Sequence, residues 1–113
     1  MPRRNITSLG APAAVTSAIQ QLGANIATAR VRRGLRQEDL AKKAGISKVT
    51  MNRIEAGALG TGIGAYTAVL WAMGLHHAVA ALAHPEADVE GITLEAAKRP
   101  TRVGMSRELS DDF

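Results

Sequence analysis

The hydrophobic positions along the chain recur with the spacing of an α-helix. The first stripe advances by three and four residues at a time, which places its members on one face of a helix. This stripe consists of Ile19, Leu22, Ile26 and Ala29. It predicts a helix from about Ser17 to Arg33, which Gly34 ends as a left-handed cap.

The same period predicts four shorter helices. They run approximately over Gln37–Lys43, Lys48–Ala56, Ile63–Met73 and His76–Ala83. Ser47 is a good N-cap for the second of these, and Gly74 followed by Leu75 predicts a Schellman-type end for the third. Runs of β-branched residues are few, so the sequence predicts an all-α protein.

We expect each helix to pack its apolar side against a common core. The inward positions are Leu40, Ala41, Ala44, Ile46, Met51, Ile54, Ile63, Tyr66, Val69, Leu70, Met73, Val79 and Leu82. The chain has only one Trp, one Tyr and one Phe, so this core must be mainly aliphatic. Trp71 is large and lies off the main stripe of its helix, and we interpret it, with the fifth helix, as a dimer interface.

The pattern divides the chain into three segments. Residues 1–16 mix Pro, Gly, Ser, Thr and Ala without a helical period and predict a flexible N-terminal arm. Residues 17–83 contain the five predicted helices. Residues 84–113 have fewer apolar positions and are interrupted by Pro85 and Pro100, which predicts an acidic tail with one helical turn near Leu94 to Lys98.

Composition narrows the range of possible functions. The 113 residues are about one domain's length, and the lack of cysteine excludes disulfides, thiol catalysis and zinc bound by cysteine. This lack also fits a reducing cytoplasm, where we expect the protein. The chain has no run of about eighteen apolar residues, so we expect no membrane span.

Charge is distributed unevenly along the chain. Residues 1–60 hold ten Lys and Arg against three Asp and Glu, whereas residues 61–113 hold four against seven. A basic front half and an acidic back half indicate two different partners. Such asymmetry is also common in small domains, so charge alone does not identify them.

The segment Arg36 to Gly57 carries the strongest functional pattern. Two helices of about two turns meet at Gly45, and Ala41 and Ala44 are small enough to let them approach closely. When the apolar positions of the second helix face inward, Lys48, Val49, Thr50, Asn52 and Arg53 remain outside. These side chains offer hydrogen bonds to base edges, an apolar group for a thymine methyl and cations for phosphates. They predict a helix that reads the major groove of DNA.

This region resembles the Xre/Cro/C1-type helix-turn-helix, a five-helix lambda-repressor-like domain. The match covers about Leu22 to Leu82 without a gap. It rests on Arg30, Gly34, Leu35, Gln37, Leu40, Ala41, Gly45, Ile46, Ser47, Ile54, Glu55, Gly57, Leu70 and Leu75. The resemblance implies a sequence-specific repressor that binds double-stranded DNA, as a homodimer on a palindromic operator.

The resemblance also implies roles for single residues. Gln37 occupies a position that contacts phosphate or supports the base-reading side chains, and Arg30 and Glu55 occupy positions that form an internal ion pair. Positions facing bases or the adjacent backbone are Lys48, Val49, Thr50 and Arg53. For Val49, the alternative to contact with a base is packing in the hydrophobic core.

Arg36 departs from this pattern, because relatives carry Ser or Thr there as an N-cap. We expect Arg36 to contact phosphate instead, at some cost in helix stability. The other cations have plainer alternatives. We interpret Lys42 and Lys43 as solvated charges. Arg32 and Arg33 are either helix-end cations alone or also contact phosphate, and Arg3 and Arg4 either enter a minor groove or lie in a disordered terminus.

The sequence gives no support for catalysis, a cofactor or a metal. The only histidines are His76, His77 and His84, and no carboxylate pair accompanies them at a metal-ligand spacing. The glycine-rich stretch from Gly57 to Gly64 lacks the Gly-Lys-Ser/Thr ending of a phosphate loop. We therefore expect a protein that is not an enzyme.

The segment from Asp88 to Val103 resembles the tails of Xre-type proteins encoded beside a HipA-like kinase toxin. This resemblance implies a HipB-like antitoxin that autoregulates a type II toxin–antitoxin operon, with Ile92, Leu94 and Val103 ordering on the toxin. One alternative is a stand-alone Xre-family regulator with no toxin partner. Another is that the tail is a disordered terminus.

Overall fold

Six helices and the turns between them make up the part of the chain that the structure describes, residues 10–98 of a computed structural model. The helices are α1 (Ala13–Arg32), α2 (Gln37–Ala44), α3 (Lys48–Glu55), α4 (Ile63–Ala72), α5 (His77–Ala80) and α6 (Val89–Lys98). No strand occurs within this range. The chain divides after Val79 into two compact units.

The helices α2, α3 and α4 agree with the sequence prediction to within one residue at each end. The first helix begins four residues earlier than predicted, so Ala13 to Thr16 belong to it and not to an arm. Pro12 explains this start. Its carbonyl oxygen accepts hydrogen bonds from the N–H groups of Val15 and Thr16, and the alanines that follow it are strong helix formers. The residues of the predicted arm before Gly10 lie outside the described range.

The core of the first unit is aliphatic, as predicted. Its fully buried side chains come from all four of the first helices, namely Ile26, Leu40, Met51, Ile54 and Val69. Burial of side chains of this size contributes about 1.5–3 kcal/mol each relative to exposure. Two expected core positions are wrong: Ile63 and Leu82 are both about two-thirds exposed. Ile63 is the first residue of α4, and Leu82 lies beyond the end of α5.

Helix α1 crosses the end of α3 at unusually short range. The contact is made by Gly23, where an added Cβ would lie 2.5 Å from the carbonyl oxygen of Ile54. Gly57 lies on the other side of the crossing, where a Cβ would lie 2.6 Å from the Cα of Gln20. Gly57 also has a φ of +74°, which disfavours any side chain. Two glycines therefore set how closely α1 and α3 approach.

The loop between α3 and α4 is fixed by a buried tyrosine. The hydroxyl of Tyr66 donates a hydrogen bond of 2.8 Å to the carbonyl oxygen of Ala58, and burial raises the pKa of that hydroxyl. At the other end of α4, the Schellman-type stop is present as predicted. The N–H of Leu75 donates to the carbonyl oxygen of Leu70 at 2.8 Å.

The residues from α5 onward differ most from the prediction. Helix α5 is only four residues long, and Ala83, which was predicted to be helical, has a φ of +55°. Where the sequence predicted a single turn, α6 extends over ten residues. Asp88 explains its length, because its Oδ1 accepts a hydrogen bond of 3.0 Å from the N–H of Gly91 and so caps the helix start. Within the described residues, no helix combines the length and apolarity that crossing a membrane requires.

Substitution of Gly23 by alanine should destabilise the first unit. The new Cβ would collide with backbone atoms of α3, and overpacking of this kind costs about 1–3 kcal/mol. The free energy of unfolding, measured by urea denaturation, should fall by that amount. Gly64→Ala is the matched control, because a Cβ there meets nothing within 4 Å in the same kind of helix. It should leave stability unchanged or raise it by up to about 1 kcal/mol, and equal effects of the two changes would contradict the close approach.

Candidate nucleic-acid interface

The turn between α2 and α3 is built from a glycine and a serine. Gly45 has a φ of +76° and reverses the chain, and the N–H of Ile46 returns a hydrogen bond of 3.0 Å to the carbonyl oxygen of Ala41. Ser47 then starts α3, because its Oγ accepts a hydrogen bond of 3.1 Å from the N–H of Thr50. Together these residues fix the angle at which α3 leaves α2.

Helix α3 is held by its inner face and presents its outer face to solvent. Met51 and Ile54 are completely buried, whereas the side chains on the other side are exposed or, at Thr50, half-buried. The structure brings onto this outer face the five residues that the sequence assigned to DNA reading: Lys48, Val49, Thr50, Asn52 and Arg53. Val49 is 58% exposed, which argues against its alternative role in core packing.

The polar side chains of this face differ in how far they are already engaged. The hydroxyl of Thr50 accepts a hydrogen bond of 3.0 Å from the hydroxyl of Ser47, so its own proton remains available to a ligand. Among the described residues, Asn52 and Arg53 have no side-chain hydrogen bond or ion pair with the rest of the chain. Both can therefore turn toward a partner without losing an internal contact.

The end of α3 is tied to two other helices through one carboxylate. Arg30 of α1 donates two hydrogen bonds to Glu55, from Nε to Oε2 at 2.6 Å and from Nη2 to Oε1 at 3.1 Å. Gln37, the first residue of α2, donates from Nε2 to Oε1 of Glu55 at 2.9 Å. The ion pair that the resemblance implied is therefore present, and Gln37 extends it into a network.

This network is sheltered, and each of the three guanidinium nitrogens of Arg30 donates a hydrogen bond. The side chains of Arg30 and Glu55 are only 15% and 8% exposed, and a third donor of Arg30 reaches the carbonyl oxygen of Leu35 at 2.8 Å. The hydrogen bonds to Glu55 raise the pKa of Arg30. Because charge-assisted bonds between fixed partners resist rearrangement, the pair holds α1 and α3 in one relative orientation.

Arg36 lies at the N-cap of α2, as predicted, but the helix start is not left uncapped. A guanidinium group has no acceptor, so Arg36 cannot cap the helix with its own side chain. Asp39 supplies the other half of a capping box, because its Oδ2 accepts a hydrogen bond of 3.0 Å from the N–H of Arg36. The same carboxylate accepts from the Arg36 guanidinium at 3.2 and 3.3 Å. The start of α2 therefore has a side-chain acceptor, although it comes from Asp39 and not from the N-cap residue.

The charged side chains at the starts of α2 and α3 lie close together. Glu38 is 3.5 Å from Nη1 of Arg36 through Oε2, and 4.0 Å from Nζ of Lys48 through Oε1. Arg36, Glu38 and Lys48 are all more than half exposed, so these ion pairs are weak and strongly screened by salt. Two of the cations assigned to DNA therefore have acidic neighbours in the free protein.

The sequence analysis did not predict two contacts of this surface, those of Asp39 and of Gln37. The spacing Arg36-x-x-Asp39 matches a capping arrangement in which only the second residue can accept, and it would have identified Asp39. The bond between Gln37 and Glu55 joins residues 18 positions apart, so it can be recognised only once the tertiary fold is known.

Ile92 and Leu94 of the predicted partner-binding set are exposed on α6, and Val103 lies outside the described residues. Residues 10–98 contain no group of three His, Asp or Glu side chains that could hold a metal ion.

Comparison with known protein families identifies the class to which this chain belongs. The family model described as a helix-turn-helix domain matches residues 21–84, which is more than half of the chain. The chain belongs to this family and is a DNA-binding regulator of the helix-turn-helix type. Neither the curated proteins nor the solved structures contain a match to it.

Removal of the negative charge of Asp39 should destabilise the protein in a pH-dependent way. The guanidinium of Arg36 and then its backbone N–H lower the pKa of Asp39 below its ordinary value of 3.8. Stability from a lowered carboxyl pKa is present above the unfolded value and is lost as the pH falls through the folded value. Asp39→Asn keeps an acceptor for the N–H of Arg36, so it removes the charge alone.

The measurement is the Tm of wild type and Asp39→Asn between pH 7 and pH 2, at constant ionic strength. The wild type should be more stable above about pH 5, and the difference should vanish below the lowered pKa of Asp39. Glu86→Gln is the control. The Glu86 side chain has no hydrogen bond or ion pair with a described residue, so its Tm should follow the wild type. A gap between wild type and Asp39→Asn that persists at pH 2 would contradict the ion pair.

Proposed function

We propose that the protein is a sequence-specific transcriptional repressor that inserts α3 into the major groove of double-stranded DNA. The observation that carries this proposal is the division of α3 into two faces. Met51 and Ile54 fix the helix in the core, while five adjacent polar, basic or small apolar side chains face outward. A helix of this kind fits the width of the major groove, and its outward residues reach base edges.

Each outward side chain has a chemistry suited to one part of the groove. Asn52 can donate to and accept from an adenine edge, and Arg53 can donate two hydrogen bonds to a guanine. Val49 and the methyl group of Thr50 can contact a thymine methyl. Lys48 and Arg36, at the starts of the two helices, suit phosphates on the flanks of the groove. Gln37 is held by Glu55 and would serve the reading helix as a support.

The same proposal includes a homodimer on a palindromic operator. One domain of this size reads only a few base pairs, and two half-sites raise specificity to the level that regulation requires. Trp71 supports an interface between copies, because it is 58% exposed on α4. We further propose that the protein acts in the cytoplasm and has no catalytic activity, cofactor or metal. Its repression would include the operon that encodes it.

A second function, binding of a protein partner, is favoured by α6. Val89, Ile92 and Leu94 of this helix are each about half or more exposed, although they are large and apolar. Val89 and Ile92 share one side of the helix and Leu94 lies on another, and a short helix with such exposed side chains gains stability when a partner covers them. In this proposal the partner is the HipA-like kinase that the tail resemblance implies, and the protein is the antitoxin of that operon. The alternative is a stand-alone regulator whose α6 has no toxin to bind.

Substitution of either of two reading residues should weaken specific DNA binding without unfolding the protein. Thr50→Ala and Arg53→Ala should each lose about 1–3 kcal/mol of operator binding, the value of a base contact. The fold should persist, because the Ser47 cap uses the backbone N–H of Thr50 and Arg53 has no partner within the described residues. Gel shifts on the DNA upstream of the operon measure the affinity, and circular dichroism checks the fold.

Two matched variants control for these changes. Thr67→Ala removes a hydroxyl that donates only to the Ile63 carbonyl oxygen within α4, and Lys43→Ala removes an exposed cation that we interpret as solvated. Both should leave the preference for operator over random DNA unchanged. Unaltered operator affinity in Thr50→Ala and Arg53→Ala would refute the assignment of α3 as the reading helix.

The partner proposal requires a separate test on the full chain. Ile92→Asp together with Leu94→Asp should prevent co-purification with the product of the neighbouring gene, because a charge would enter the apolar contact. DNA affinity should not change. Glu95→Gln, on the same helix, is the control and should retain the partner. A complex that survives both the double substitution and deletion of residues 84–113 would exclude this segment as the binding site.

A further inference from the structure

Glu38 bridges the two helices of the helix-turn-helix through its two carboxylate oxygens. Its Oε2 lies 3.5 Å from Nη1 of Arg36, at the N-cap of α2, and its Oε1 lies 4.0 Å from Nζ of Lys48, the first residue of α3. Arg36 and Lys48 are the two cations that the proposed function assigns to DNA phosphates. The Glu38 carboxylate therefore lies near both of them in the free protein, and it shares Arg36 with Asp39, which accepts hydrogen bonds from Nε and Nη2 of that guanidinium.

Local structure does not account for this arrangement. Asp39 already supplies the acceptor that caps α2, and within the described residues the Glu38 side chain accepts no hydrogen bond from the backbone. An acidic residue in the first turn does favour the helix dipole, but this effect needs no contact with a cation of another helix. The stability of α2 therefore does not require the ion pairs of Glu38 with Arg36 and Lys48.

We propose that Glu38 is an internal counter-anion that occupies Arg36 and Lys48 in the free protein and thereby lowers the affinity of the domain for the DNA backbone. This inference rests on the proposed function. When the domain meets a duplex, a phosphate must either displace the Glu38 carboxylate or bind beside it against like-charge repulsion. Glu38 in this way sets the strength of the phosphate contacts without touching a base.

The proposal predicts a definite dependence on sequence and salt. Phosphate contacts carry no sequence information, so Glu38 weakens binding to operator and to random DNA by a similar factor. Exposed ion pairs are weak, so the loss of Glu38 should change affinity by a factor of only about two to five. The factor should shrink above about 0.1 M salt, where screening acts over roughly 10 Å.

The test measures binding of fluorescent operator and random-sequence duplexes to full-length protein by anisotropy, between 50 and 200 mM salt. Glu38→Gln should bind both duplexes about two- to fivefold more tightly at the low-salt end. Its plot of log affinity against log salt should be steeper, by up to about 0.9 for one phosphate gained. Thermal unfolding should show the same fold with a slightly lower Tm, because the charge near the dipole is lost.

Two controls separate the bridge from a general change in charge. Glu90→Gln alters the net charge equally on α6 and should leave both affinities unchanged. In a chain that already carries Arg36→Gln and Lys48→Gln, the Glu38→Gln change should no longer increase affinity. Equal gains from Glu90→Gln, or a full gain in the background without the two cations, would overturn the proposal.

The outcomes also separate this proposal from the function on which it rests. A wild-type chain that binds neither duplex would overturn both. A wild-type chain that prefers its operator, combined with a Glu38→Gln variant that binds no more tightly, would overturn the role of Glu38 alone.

Discussion

The orientation of α3, the helix that we propose reads DNA, depends on one carboxylate, that of Glu55. This residue ends α3, and it binds Arg30 of α1 and Gln37 of α2 at the same time. Apolar packing alone leaves a short helix some freedom to rotate or slide, because contacts between aliphatic side chains have no direction. Hydrogen bonds between charged, sheltered partners do have direction. The Glu55 network therefore converts a packed helix into one with a fixed set of outward residues.

The network can form only because α1 and α3 approach closely. Gly23 removes the side chain that would otherwise hold the two backbones apart, and Gly57 leaves α3 in a conformation that disfavours other residues. The close crossing leaves the guanidinium of Arg30 within hydrogen-bonding distance of the last residue of α3. Backbone approach and ion pairing are thus two parts of one constraint, and loss of either would affect the other.

Much of the fold could be predicted from the sequence, because its signals are local. The period of apolar residues and the glycines at 34, 45, 57 and 74 located α2, α3 and α4 to within a residue. The five outward residues of α3 followed from the same period. Signals that act at a distance were missed. The bond from Gln37 to Glu55 and the crossing at Gly23 depend on the tertiary fold. The early start of α6 was missed for a different reason: its cap at Asp88 is a local signal, but it lies in a region of weak apolar period.

Charge at the starts of α2 and α3 illustrates how stability and binding are separated in this surface. Asp39 and Glu38 are adjacent acidic residues, yet the first caps a backbone N–H while the second faces only side-chain cations. A helix start attracts acidic residues because of its dipole, and a phosphate-binding surface is weakened by them. Asp39 serves both demands at once, because it also accepts from the Arg36 guanidinium, whereas Glu38 in our proposal only weakens the cations. In the proposed function the bases are read by α3, whose Asn52 and Arg53 have no acidic partner among the described residues.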